Sequence, residues 1–560
     1  VTHIFRHHRP LAAAIASALA LCSVTANAAN NDATRDRAAL QWAKHIVVIY
    51  QENHSFDNLY GNWEPVNGAP VNGLANADPA HTLQASAAGP LYDCLMQNDP
   101  NLTVPPLSAT CNDATVSPAF ASHFANVPFA IDGYIPQESL TRDLVHRYYQ
   151  EQYQIHHGQQ DRYVTGSDAI GLSMGNYDTT QLPVYAYLHG AGAPNYVVLD
   201  AFFQSAFGGS FLNHQWFVAA RSPQFAGALN DVSSNDLHSV VDANGMPTSY
   251  PLYTSPLGSS AKDMPLTASC NPPAGRPVTP AGVTCGDYAV NTIQPWYQPY
   301  SPGTLDAKRL PPVSHATIGD RLSEAGVDWA WYSGGWSNAD GDIGAPGWTN
   351  GTEPLAANAS STAPCPDAQA IAKAVWPVCP DILFQFHHQA LNYFSQFAPG
   401  TPARAAHLRD EAEFIQAAQA GQLKPVSFIK PIGEENEHPG YASVAEGSQH
   451  LVELLQAIFD GPDGDNTLVL VTYDEFGGTW DHVPPPGQGD QPGPHDIWGP
   501  GTRIPALLVS RHFERSTVDH TQYDTTSALA TIERRFGLAP LSSRDAAVAN
   551  FAPAVRAARD

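Results

Sequence analysis

The chain has 560 residues, of which 53 are acidic and 27 are Lys or Arg, for a formal net charge of −26. Such a field repels nucleic acid and anionic membrane surfaces at long range, so an anionic substrate would need a local positive centre, for which a bound metal is the natural source. The length exceeds a minimal domain and suits one large α/β domain carrying insertions.

Residues 1–28 read as a signal peptide. Arg6 and Arg9 form a basic head, an apolar run "LAAAIASALAL" follows, and Ala26 and Ala28 supply the small-x-small cleavage pattern. The run is about half of what a bilayer span needs, and no other segment reads as a span. The chain is therefore expected to be exported, to periplasm or medium, with a single domain over 29–560.

The first predicted strand is "HIVVIY" (45–50), which runs directly into Glu52 and Asn53 in "QENHSFDNLYG". A Pro/Asn/Ser-rich excursion near 84–135 contains Cys94 and Cys111. His146, in "RDLVHRYYQEQYQIHHG", falls on a predicted helix. After the strand "NYVVLD" (195–200), the glycines of "FGGSFLNHQ" lead to Ser210 at the start of an apolar helical segment, followed by Asn213 and His214. A second Pro/Gly-rich excursion, near 245–312, carries Cys270 and Cys285, and Cys365 and Cys379 form a third neighbouring pair. Nearest-neighbour disulfides would clip these excursions in an oxidising compartment, although sequence alone does not fix the pairing. Further strands are read at 327–332, 424–429, 466–474 and 503–510, and helices at 443–460 and 525–537. Ser443 with Glu446 three residues later makes a capping box for the first of these helices. Buried strands alternating with amphipathic helices indicate a mostly parallel sheet covered on both faces.

Two strands thus end alike, one in Glu52 and Asn53, the other in Asp474 and Glu475 of "VTYDEFGGTWDHVPPP". In an open parallel sheet such ends share one edge. Either pair alone would serve as a helix cap; together, three carboxylates and an amide predict a divalent metal, its identity and number open. Ser210 beside it reads as a helix N-cap or as a metal-bound nucleophile that attacks phosphorus. His438, in "GEENEHPGY", and His146 are candidate proton donors to a leaving group, and a neighbouring Glu437 would favour the charged form of His438. His482 would orient the turn after Glu475, while His387 and His388 read equally as aromatic–histidine packing.

The motifs "QENHSFDNLYG", "GGSFLNHQ", "HPGYASVAEG" and "TYDEFGGTWDHVPPP" resemble the phosphoesterase family of bacterial phospholipases C and respiratory-burst-inhibiting acid phosphatases. The resemblance implies an α/β fold, an alkaline-phosphatase-like three-layer α/β/α sandwich with a mostly parallel sheet and disulfide-clipped insertions. It also implies metal ligation by Glu52, Asn53, Ser210, Asp474 and Glu475, catalysis by Ser210, His438 and His146, and phosphate contacts from Asn213 and His214. The "SFLNHQ" segment departs from the phospholipase pattern Thr-x-Pro-Asn-Arg and is similar to the acid-phosphatase branch. The expectation is therefore an acid phosphatase acting on monoesters through a phosphoserine. Phospholipase C is the alternative, with a non-catalytic secreted binding protein as a third reading. A small phosphate ester or phospholipid is the expected partner, with no nucleic acid and no transmembrane segment.

Overall fold

The computed structural model describes residues 32–559 apart from 87, 97–106, 118, 225–287, 302–303, 307–308, 350–380 and 382. The signal-like segment, Cys270, Cys285, Cys365, Cys379 and much of the 245–312 excursion lie outside the described residues. Cys94 and Cys111 are joined by a disulfide. It sits beside a short antiparallel hairpin in which Cys111–Asp113 pairs with Phe120–Ser122.

Eight strands form the main sheet: β1 His45–Gln51, β2 Asn195–Leu199, β3 Trp329–Ser333, β4 Leu408–Asp410, β5 Val426–Lys430, β6 Thr467–Tyr473, β7 Ala506–Ser510 and β8 Thr517–Asp519. Their order is β4-β3-β5-β1-β6-β7-β2-β8. The first five are parallel neighbours. β7 pairs antiparallel with both β6 and β2, and β8 is parallel to β2. The sheet is thus mixed, with one reversed strand. The six predicted strands are all in it, displaced by at most a few residues. The two that were not predicted, β4 and β8, are three-residue edge strands too short to show an apolar run.

Five helices matter for the site: α1 Tyr148–Ile155, α2 Ser210–Ala219, α3 Glu411–Ala420, α4 Val444–Phe459 and α5 Thr526–Phe536. Successive residues of a strand point to opposite faces, and the end of β1 shows both faces covered. Tyr50 stacks on Phe217 of α2, ring centroids 4.3 Å apart, whereas Gln51 donates through Nε2 to the Gly447 carbonyl of α4 (3.4 Å). The predicted N-terminus of α4 is as expected, with Ser443 Oγ accepting from Glu446 N at 3.1 Å. Continuous apolar strands such as "TLVLVTY", buried at every position, are what a sheet buried on two faces requires.

Candidate active site

Parallel pairing in register decides where the acidic residues meet. Gln51 of β1 is the register partner of Tyr473 of β6, so Glu52 and Asp474 leave adjacent strands side by side. The amide of Asp474 donates to the Gln51 carbonyl (3.1 Å). Asn53 donates its own amide to Asp474 Oδ1 (3.3 Å), which also accepts from Glu475 N (2.9 Å). Asn53 turns the chain in the left-handed region, φ 61°, a conformation asparagine tolerates. Gly477 is required beside it: its φ is +63°, and a Cβ there would stand 2.1 Å from the Asn53 carbonyl oxygen.

Ser210 is the first residue of α2, and the preceding Gly209 occupies the N-cap position without a side chain to cap it. Its hydroxyl donates to Glu52 Oε2 at 3.2 Å. The loop before it is pinned by buried Glu151, which accepts from Gly208 N and Gln204 Nε2 on one oxygen and from Thr502 on the other. Gly208, at φ +92°, lies so close to the chain at Tyr148 that a Cβ would meet its amide nitrogen at 2.6 Å. The glycines therefore admit the Asp143–Tyr148 segment to the site.

That segment carries His146, which is not helical as expected. α1 begins only at Tyr148, because Arg147 remains extended at φ −122°. The extended backbone lets His146 reach inward. Its Nδ1 lies 2.6 Å from the Leu144 carbonyl, an acceptor only, so Nδ1 carries the proton. Nε2 then presents a lone pair, 3.4 Å from Asn53 Nδ2 and 3.5 Å from Glu475 Oε1. The same logic applies to His438, whose Nδ1–H donates to the Pro439 carbonyl (2.6 Å) while Nε2 accepts from Asn53 Nδ2 (2.8 Å). With its NH2 group so engaged, Asn53 turns its carbonyl oxygen elsewhere, and that oxygen is buried with no hydrogen-bond partner.

Lys430, which follows the predicted end of β5 by one residue, sits 2.9 Å from Glu52 Oε1, with both side chains buried. His388 Nδ1 (3.3 Å) and His214 Nε2 (3.8 Å) approach the same oxygen, and the two imidazoles stack at 4.8 Å. Lys430 was not singled out from the sequence, and His388, read there equally as aromatic–histidine packing, lies against Glu52. The available signal was a lone lysine closing an otherwise apolar strand. Asn213 and His214 are placed differently from expectation: both are fully buried and engaged in local structure. Asn213 accepts from Ala206 N (3.0 Å) and donates to the Gly208 carbonyl (3.2 Å), and His214 Nδ1–H donates to the Ser210 carbonyl (2.7 Å). His482 orients its turn as expected, its Nδ1 2.6 Å from Asp57 Oδ2, within a buried network where Arg503 also pairs with Asp57 and Asp481.

The electrostatics explain what the cluster is suited to hold. Burial, and after it the charge of Glu52, raises the Asp474 carboxyl well above its ordinary range. Burial and then Asp474 do the same to Glu475. Burial first and Lys430 second hold His214 far below its ordinary value. Burial and then His146 depress His438, which is thereby neutral. Glu437 does not charge it, contrary to the sequence expectation: its carboxyl turns away to the Tyr473 hydroxyl and burial pushes it up to about 8. One oxygen each of Asn53, Asp474 and Glu475 is buried without a hydrogen-bond partner, and Glu52 Oε1 faces the Lys430 ammonium. Three carboxylates against one ammonium leave two formal negative charges, which a divalent cation would cancel. The donor types fit a hard or borderline divalent ion, and one ligand atom each of Glu52, His214 and His388 lies within 4.8 Å of the others.

A cavity of about 440 Å³ opens directly over Ser210, with His146, His438, His387, Tyr441 and Asn291 in its walls. Val290–Thr292, from within the second excursion, thus border the site. Among the described residues no helix is long and apolar enough to cross a membrane.

Residues 43–539 match the model of the phosphoesterase family, and the chain belongs to that family. Its curated relatives include the non-specific phospholipase C6 of Arabidopsis thaliana, 30% identical over 25% of this chain and 32% of the relative. Non-specific phospholipase C4 of the same plant is 34% identical over 21% of this chain and 25% of its own. Phospholipase C B of Mycobacterium tuberculosis is 32% identical over 22% and 27%. The matched stretches thus span about a quarter to a third of these relatives. A Vibrio parahaemolyticus protein of the alkaline phosphatase superfamily overlaps 40% of this chain and 48% of its own at 11% identity, with a TM-score of 0.22 that carries no argument.

These relatives overturn the expectation of the acid-phosphatase branch and of a monoesterase working through a phosphoserine. The physical reason lies in the segment that suggested it. Asn213 and His214 of "SFLNHQ" hold the loop and helix backbone rather than facing the cavity, so their identities do not report on the substrate.

Proposed function

We propose that this protein is a metal-dependent phosphoesterase of the phospholipase C type, hydrolysing the bond between a lipid alcohol and its phosphorylated head group. The observation that supports this best is the side-by-side delivery of Glu52 and Asp474 by paired strands, with one buried oxygen each of Asn53, Asp474 and Glu475 left without a hydrogen-bond partner, where the Ser210 hydroxyl meets Glu52 below a cavity. In this reading those residues hold a divalent ion, whose Lewis acidity polarises the phosphoryl oxygens when it is bound. Lys430 orients Glu52 through its 2.9 Å contact with Oε1. Asn53 is aimed by His438, which acts as a positioning residue. Ser210 presents its hydroxyl to the reacting phosphate, and His146 takes up a proton at Nε2, its imidazolium stabilised by Glu475 Oε1. Water supplies the oxygen that ends on phosphorus, its proton passes to His146 Nε2, and the lipid alkoxide leaves with the proton that His146 returns.

The parallel strands with helices on both faces favour an alkaline-phosphatase-like sandwich with one reversed strand. The Cys94–Cys111 disulfide and the signal-like segment support export to an oxidising compartment. The test is product analysis on phosphatidylcholine micelles, with a chromogenic phosphate monoester in parallel, before and after chelation. Diacylglycerol release that stops on chelation and returns with divalent metal is expected. Turnover of the monoester alone, or indifference to chelator, would refute the reading.

A further inference from the structure

A second cluster lies apart from the strand-end site. His450, on α4, points Nε2 at Glu411 Oε1 (2.8 Å) and lies 3.6 Å from Glu435 Oε2, while Nδ1 is 3.9 Å from Glu453 Oε2. One ligand atom from each of Glu411, Glu435 and His450 falls within 4.8 Å of the others. Glu411 is only 4% exposed, and its second carboxylate oxygen, Oε2, is buried without any hydrogen-bond partner. A buried, half-satisfied carboxylate is costly, and even a protonated His450 would offset only one of the three carboxylates around it. Glu435 and Glu453 open the cluster to solvent, with side chains 42% and 61% exposed, so an ion has an entry path.

We propose that His450, Glu411 and Glu435 form a second divalent-cation site, separate from the strand-end cluster and suited to zinc. One imidazole nitrogen with two or three carboxylate oxygens is a borderline donor set, which zinc accepts and the harder magnesium and calcium favour less. Such an ion ties three elements together: the start of α3, the middle of α4 and the turn Gly433–Glu435 after β5. That turn leads into Asn436, whose carbonyl accepts from Glu52 N (3.0 Å), and then into His438. The site therefore braces the segment that aims Asn53. It stands independently of the phospholipase reading, since its ligands are not those of the strand-end cluster.

The test uses the full chain and Zn2+ alone. Protein equilibrated with Zn2+ and desalted is analysed for metal per chain in the Asp474→Asn background, with and without His450→Gln or Glu435→Gln. Loss of one equivalent in each second variant is expected, with a matching loss of the Zn2+-induced rise in Tm. Equal zinc content in the parent and both variants overturns the proposal. Should His450→Gln fail to fold, Glu435→Gln, at a half-exposed position, decides alone.

Discussion

Removing Lys430 offers the sharpest probe of the strand-end cluster. At 2.9 Å from Glu52 Oε1, the ammonium contributes roughly 332/(20 × 2.9) ≈ 6 kcal/mol of attraction at an effective dielectric of about 20. The Lys430→Met variant keeps most of the side-chain volume and loses the charge. The full attraction is an upper bound, because desolvation of the buried pair offsets part of it. The variant, freed of metal, is therefore expected to be destabilised by about 3–5 kcal/mol at pH 7, the range for breaking a buried pair. Denaturant unfolding of chelator-treated protein at pH 7 measures the loss. A loss below about 1 kcal/mol would show that Lys430 does not balance the carboxylates.

Ser210→Ala should lower lipid hydrolysis at least about a hundredfold while leaving metal content and Tm unchanged, the scale of a group acting on the reacting atoms; retained turnover removes Ser210 from the reaction. Gly477→Ala places a methyl group 2.1 Å from the Asn53 carbonyl oxygen at a φ of +63°, so a stability loss above about 1 kcal/mol and weakened metal retention are expected, read by calorimetry and metal analysis. A variant as stable and as metal-rich as the parent contradicts that geometry. Burial raises Glu437 from 4.5 to about 8, so the neutral form favours the fold. Its stabilising contribution is complete below about pH 4.5 and is lost as pH rises through about 8, with a slope of up to about 1.4 kcal/mol per pH unit between. Glu437→Gln should flatten the stability–pH curve in that window; an unchanged slope refutes a neutral Glu437.

Much of the site was legible because it is written in strand ends. The apolar runs before Glu52 and Asp474 mark buried parallel strands, and parallel strands deliver their carboxyl ends to one edge, so the adjacency of these two strand ends followed from local pattern and one topological rule. α4 was equally readable, since Ser443, Glu446 and the helical spacing are all local. The reversed direction of β7 was not, because an apolar segment such as "ALLVS" reads the same either way. The extended conformation at His146 was also hidden. Its sequence reads as helix, whereas the folded chain brings it extended against Gly208 and Gly209.

The chain's own order of residues marked the candidate groups: hard oxygen donors after buried strands, a serine at a helix start, and an acidic balance that suits a cation. Tertiary structure decided which partners those groups meet. Lys430 reaches Glu52 across paired strands, His438 turns the Asn53 amide, and Asn213 is consumed by its own loop rather than by substrate. Each of these depends on contacts between residues distant in the chain or on the path of the backbone through space, which composition and spacing do not encode.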